Sequence, residues 1–234
     1  MESNLHDKVV ISVGGSLVVP NGGIDTKFLQ NLNDFIRKQL ADHQNRQFFL
    51  VIGGGATARH YRDAGKAVIG KLTDEDLDWL GIHATRLNAH LIRTIFHDIA
   101  HPQIIEHYDV VKDIQEKVVV ASGWKPGWST DYDGVKLCEE YDVKVIINLS
   151  NIKQVYTADP RVDSNATPLD HMSWDEFRKL IGNEWTPGMN APFDPIAAKK
   201  AQELGVKVVV MSGDDFTNIN SFLKGEKFLG TVIE

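Results

Sequence analysis

The feature that most constrains this chain is a series of short apolar runs rich in β-branched residues, at Val9–Val13, Phe48–Ile52, Val118–Ala121, Val143–Ile147, Val206–Met211 and Thr231–Ile233. Each has the length of a strand. Runs without polar alternation suit strands covered on both faces. Between them the apolar spacing turns helical: Phe28, Leu32, Phe35, Ile36 and Leu40 follow the cap residue Asp25. Thr73 and Asp76 form a capping-box pattern. It opens a long helix predicted to reach His97, with Leu77, Leu80, Ala84, Leu87, Leu91 and Ile95 on its apolar face. Two further helices are predicted from Asp131 to Tyr141 and from Asp194 to Leu204. Strands alternating with helices predict an α/β fold, with a mainly parallel sheet between helix layers and ligands at the carboxyl ends of the strands. The polar segment 151–183, broken by Pro160 and Pro168, reads as a hairpin-and-loop excursion over one end of the sheet.

The chain has 234 residues, about one and a half times a typical domain of roughly 150. With no internal repeat and no linker, residues 1–234 read as a single domain. A composition of 42% hydrophobic and 24% charged residues supports a packed core. The net charge of −7 argues against a general binder of nucleic acid or anionic membrane, which needs excess Lys and Arg. No apolar run is long enough to span a membrane, and the start reads as no signal peptide. The single cysteine, Cys138, leaves no intrachain disulfide and no cysteine metal cluster, in keeping with a reducing compartment. The expected location is the cytoplasm.

The strand ends carry the chemistry. The first leads into Gly14, Gly15 and Ser16, and the second into Gly53, Gly54 and Gly55 before a helix containing Ala58, Arg59 and Tyr61. Glycine lets a backbone approach an oxyanion, and a helix start presents unpaired N–H groups to it. A tight turn alone would explain either cluster; two on neighbouring strands point to a two-phosphate site. Neither is a GxxxxGK[ST] loop or a GxGxxG fingerprint. The third strand end runs Gly123–Asp131, with Ser129 or Thr130 placed to cap the next helix. Beyond the fourth lie Ser150, Asn151, Tyr156, Asp159 and Pro160. Asp159 before a proline is a natural turn residue whatever its function.

Taken in order, GGSLV, GGGATARHY, DWLGIHATRLNA, GWKPGWSTD, NLSNIKQVYTADPR and PFDPIAAKKA resemble the amino-acid-kinase family, and within it the uridylate (UMP) kinases of archaeal type. The resemblance covers nearly the whole chain. It implies a three-layer αβα sandwich, with an acceptor-binding part at about 1–140 and an ATP-binding part at about 141–234. It assigns Gly14, Gly15 and Ser16 to the transferred phosphoryl and Gly54, Gly55 and Arg59 to the acceptor phosphate. Asp78 goes to the UMP ribose, Ser129, Thr130 and Asp131 to the loop over the acceptor, and Asn151, Tyr156 and Asp159 to ATP. Asp194 falls at the phosphate-proximal helix start. Arg86, two turns beyond Asp78, reaches the acceptor or a subunit interface. The implied substrates are ATP and UMP, with Mg²⁺ bound mainly through ATP phosphates and no protein metal site. The implied assembly is a homo-oligomer built from dimers through the long helix, with a hexamer among its forms.

Many members of the family carry a lysine where this chain has Ser12. Lys125, on a Gly/Pro loop, and Arg59 are the candidates to supply that positive charge. Trp128 stands where relatives often have a smaller or more polar residue, and the run Trp185, Pro187, Gly188, Met189, Asn190 is also unusual. Two other readings stay open: a kinase of the same fold for another small phosphate, carboxylate or carbamate, and a non-catalytic nucleotide or oxyanion sensor or store.

Overall fold

A computed structural model of the protein describes residues 7–108, 113–160, 162–182 and 191–234. Arg161 and the Trp185–Asn190 run lie outside the described residues.

The apolar runs form strands β1 (Lys8–Val13), β2 (Gln47–Ile52), β3 (Val118–Ala121) and β4 (Val145–Ser150). The fourth starts two residues later than its apolar run and continues into Asn148 and Ser150. Helices α1 (Gly15–Val18), α2 (Thr26–Asp42), α3 (Gly55–Ile69), α4 (Asp74–Ile95) and α5 (Thr130–Tyr141) connect or follow them. The cap expectations hold. The Asp25 side chain accepts from the Phe28 amide, Thr73 and Asp76 make both bonds of a capping box, and Ser129 rather than Thr130 caps α5.

After β4 come the short strands β5 (Val155–Tyr156), β6 (Pro168–Leu169) and β7 (His171–Met172), then α6 (Trp174–Ile181) and α7 (Pro195–Leu204). Strand β8 (Lys207–Ser212), helix α8 (Phe216–Leu223) and strand β9 (Thr231–Ile233) follow. The segment 151–183 is thus more than an excursion. Strands β5 and β6 do form an antiparallel hairpin, but β7 joins the main sheet beside β9, and a capping box at Ser173 and Glu176 starts α6. A two-residue strand leaves no period to read, and that box is disguised in a polar stretch.

Among the described residues the main sheet has the order β3-β2-β1-β4-β8-β9-β7, parallel except for the antiparallel β8–β9 pair. Alternate strand residues feed opposite cores. Val9, Ile11, Phe48, Leu50, Val118 and Ile147 pack with α2, α4 and α8 on one face. Val10, Phe49, Val51, Val119 and Ile146 pack with α5, α6 and α7 on the other. The expected αβα sandwich follows. Strand order runs outward from β1 through β2 to β3, then returns to β4 on the far side of β1. That reversal makes a crevice at the carboxyl ends of β1 and β4, where α/β sheets bind ligands.

Helix α4 meets one expectation only in part. Its buried face is Asp78, Gly81, Ile82, Ala84, Thr85, Asn88, Ala89 and Ile92, while Leu87 is 63% exposed. Of the apolar stripe, Ala84 is buried and Leu91 and Ile95 pack against the core, while Leu87 turns to solvent, because apolar spacing alone does not say which edge of a stripe meets the sheet. Here polar side chains are buried because they hold loops.

Candidate active site

The two glycine loops press together. A Cβ on Gly15 would lie 2.1 Å from the Gly55 amide nitrogen, and one on Gly55 would lie 2.2 Å from the Gly15 carbonyl oxygen. Gly55 also has φ +60°, which L side chains rarely adopt. The contact is locked by the Gly53 amide donating to Val13 O (3.0 Å) and the Ala56 amide donating to Val19 O (2.8 Å). Gly14 donates to Leu149 O on β4 at 2.9 Å. No side chain caps α3, so its first turn offers amides and the positive end of its dipole to a cavity of about 400 Å³ lined by Gly54, Gly55 and Arg59. Arg59 donates to Ser16 Oγ (3.2 Å) and Asn21 Oδ1 (3.0 Å). Gly14, Gly15 and Ser16 line neither this cavity nor the one beside it, and Arg59 is the side chain that joins Ser16 to the cavity wall.

Helix α4 holds the loops around this cavity. Asn88 Nδ2 donates to the carbonyls of Gly53 (2.9 Å) and Gly54 (3.1 Å). Asp78, 7% exposed, accepts from the Gly127 amide at 2.8 Å. Thr85 Oγ1 accepts from the Gly123 amide at 2.8 Å. Arg86 donates to Gly123 O (3.4 Å) and Trp124 O (3.2 Å) and pairs with Glu106 at 3.5 Å. Its partners are thus the loop 123–127 and Glu106. Four side chains of one helix, Asp78 and, two turns on, Thr85, Arg86 and Asn88, bind two strand-end loops.

Opposite α4, Thr130 and Asp131 of α5 and the cap residues Ser129 and Asp194 line the same cavity. Asp131 accepts from Ser12 Oγ (3.3 Å) and from the Asp194 amide (3.0 Å). Asp194 caps α7 by accepting from the Ala197 amide at 2.7 Å. Burial, and then the charge of Asp194, push the Asp131 carboxyl up to about 7, against the hydrogen bonds from Asp194 and Ser12. Burial also raises Asp194, against the bond from Ala197. Among the described residues no group of three His, Cys, Asp or Glu side chains could hold a metal ion. Asp131 and Asp194 do fit a magnesium ion that keeps most of its ligands as water and phosphate oxygens, since that needs only one or two carboxylates.

Lys125 does not line the cavity. Its ammonium lies 4.2 Å from the Trp124 ring centre and 4.5 Å from that of Trp128, a cation–π contact with two indoles that meet edge to face. Trp128 lines the cavity and packs edge-on against Tyr132. Three residues that matter here escaped the sequence reading. Asn88 looked like a polar interruption of a helix, Arg62 sits one turn beyond Arg59 on α3, and Lys153 lies past β4.

A second cavity, about 590 Å³, opens past the end of β4. Asn151, Tyr156 and Asp159 all line it, together with Lys153, Leu180 and Ile181. Ala191 lines both cavities, so they adjoin.

Residues 7–212 match the model of the amino acid kinase family. A uridylate kinase of Methanocorpusculum labreanum is 35% identical over 230 residues, covering 97% of this chain and 95% of that protein. One of Pyrococcus abyssi is 31% identical, covering 97% and 99%. The crystal structure of uridylate kinase from Archaeoglobus fulgidus superposes with a TM-score of 0.80 at 31% identity, over 97% of this chain and all of that one. A UMP kinase structure from Bacillus anthracis shares the fold at 17% identity and a TM-score of 0.76.

Proposed function

The chain belongs to the amino acid kinase family, and from that premise we propose that it transfers a phosphoryl group from ATP to UMP, in line and without a covalent enzyme intermediate. The observation that carries the reading is the meeting of two cavities beside a double glycine junction. The uridylate kinases similar to this chain along nearly its full length support UMP as the acceptor.

UMP occupies the smaller cavity. Its phosphate faces the α3 N-terminus, Gly54, Gly55 and Arg59, its ribose faces Asp78, and Ser129, Thr130 and Asp131 close over it. ATP occupies the larger one, against Asn151, Tyr156 and Asp159, with its terminal phosphate over Gly14, Gly15 and Ser16. One domain is thereby shared between an acceptor part, about 1–140, and an ATP part, about 141–234.

The acceptor phosphate is largely dianionic near neutral pH and attacks phosphorus without losing a proton, so no general base is needed. The chain's own work is positioning and charge stabilisation. Glycine-loop amides hold phosphate oxygens, and Arg59 bridges the acceptor and the Ser16 loop. It is the cation best placed to substitute for a lysine at position 12, since Lys125 would have to leave its indoles. Asp131 and Asp194 would hold Mg²⁺, which supplies positive charge beside the transferred group when ATP brings it. We place the protein in the cytoplasm, as a homo-oligomer paired through the exposed face of α4. No helix among the described residues is long and apolar enough to cross a membrane.

A sensor or store of nucleotides is the second reading, and Ser12 favours it, because a buried serine bonded to Asp131 leaves no cation at the carboxyl end of β1. A coupled ADP-release assay across nucleoside monophosphates, carboxylates and carbamate, with and without Mg²⁺, decides. Turnover with UMP alone supports the kinase. Tight nucleotide binding without turnover for any acceptor supports the sensor.

A further inference from the structure

Arg62 is a second guanidinium in the smaller cavity. Its Nε donates to Leu77 O at 2.8 Å, anchoring the side chain across α4. A Cβ on Gly81 would lie 2.3 Å from Arg62 Nη2, so the guanidinium rests on bare helix backbone that only glycine leaves open. Among the described residues its terminal nitrogens meet no carboxylate and no other hydrogen-bond acceptor, although Asp78 lines the same cavity. A guanidinium has five donors and no acceptor, and its fork is held here by one bond to backbone.

Its place along α3 separates its role from that of Arg59. Arg59 bonds Ser16 at the junction of the glycine loops, whereas Arg62 lies one turn further from the helix start, beside Leu77 and Gly81. We propose that Arg62 binds an oxygen of the acceptor's nucleoside, a base carbonyl or a ribose hydroxyl, and that Gly81 is the residue that lets it do so. The inference rests on the acceptor being a nucleotide such as UMP. It makes the cavity one that grips the acceptor at both ends, by Arg59 at the phosphate and Arg62 at the nucleoside.

Steady-state kinetics of the wild type, Arg62→Ala, Gly81→Ala and the double variant test it. A charge-assisted hydrogen bond predicts that Arg62→Ala raises KM for UMP about 10- to 100-fold, with kcat within about threefold and KM for ATP unchanged. Gly81→Ala is expected to raise KM for UMP similarly. It should leave the melting temperature equal or higher, since alanine favours a helix interior over glycine. The double variant should be no worse than Arg62→Ala. A loss kept with dUMP but absent with CMP assigns the contact to the uracil O4 carbonyl, a loss kept with CMP but absent with dUMP assigns it to the ribose 2′-hydroxyl, and a loss kept with both assigns it to the O2 carbonyl or the 3′-hydroxyl that these analogues share. Unchanged KM for UMP in Arg62→Ala, in a protein whose wild type uses UMP, overturns the role of the arginine alone. Additive losses in the double variant overturn that of Gly81. A wild type that neither binds nor uses UMP overturns the acceptor reading and this inference together.

Discussion

The two cavities are built by different means. The smaller is walled by long helices, and its loops are tied to α4 by the side chains of Asp78, Thr85, Arg86 and Asn88. The larger is walled by the turn-rich stretch after β4, a hairpin of two-residue strands and the end of α6. In the first, buried hydrogen bonds fix the backbone before any ligand arrives. In the second, Asn151 and Asp159 are exposed and lie outside helix and strand. The difference teaches where selectivity resides: a preorganised pocket discriminates between acceptors, while an open cleft suits a nucleotide whose phosphates do most of the binding.

The largest expected effect breaks the junction on which both cavities depend. Gly15→Ala forces a Cβ into the Gly55 amide, where backbone cannot yield cheaply. It should cost on the order of 4 kcal/mol of stability and abolish turnover, read by thermal melting and ADP release. Next, Arg59→Ala should lower kcat/KM for UMP about 100-fold while Lys125→Ala changes it less than about threefold. The reverse ranking would make Lys125 the cation at the transferred phosphoryl. On the larger side, Tyr156→Ala should raise KM for ATP about tenfold and leave KM for UMP unchanged. Equal changes in both would mean that the cavities are not separate sites.

The smallest effect sharpens the electrostatics of the preorganised side. Asp131 titrates at about 7 in the folded protein against an ordinary 3.8, so between about pH 4 and 7 the native state holds a proton that the unfolded chain has lost. Stability of the ligand-free protein should therefore fall as pH rises through that window. The whole shift would be worth about 4 kcal/mol; because Asp131 is partly open to the cavity, about 1–2 kcal/mol is expected. Asp131→Asn should remove that part of the slope, measured by urea unfolding at pH 5 and pH 8.

The same contrast explains what was legible in the sequence. The central strands were readable because they are buried on both faces, and the glycine clusters because close backbone approach admits no other residue. Asp25, Thr73 and Ser129 were readable as caps because capping is local. The buried face of α4 was not, since Asp78, Thr85 and Asn88 look like solvated positions until the loops they hold are in place. Arg62 depends on Gly81, 19 residues away, and β7 exists only because β9 offers it an edge. Asn151, Tyr156 and Asp159 are legible as a polar cluster after an apolar strand, while nothing local marks Lys153 among them.

The central claim is that the chain transfers a phosphoryl group from ATP to UMP. Phosphorus NMR of purified protein with ATP, UMP and Mg²⁺ tests it most directly, by following every phosphate species at once. UDP and ADP are expected to appear one for one, with no inorganic phosphate. ADP with inorganic phosphate, or spectra unchanged while both nucleotides bind, would contradict it.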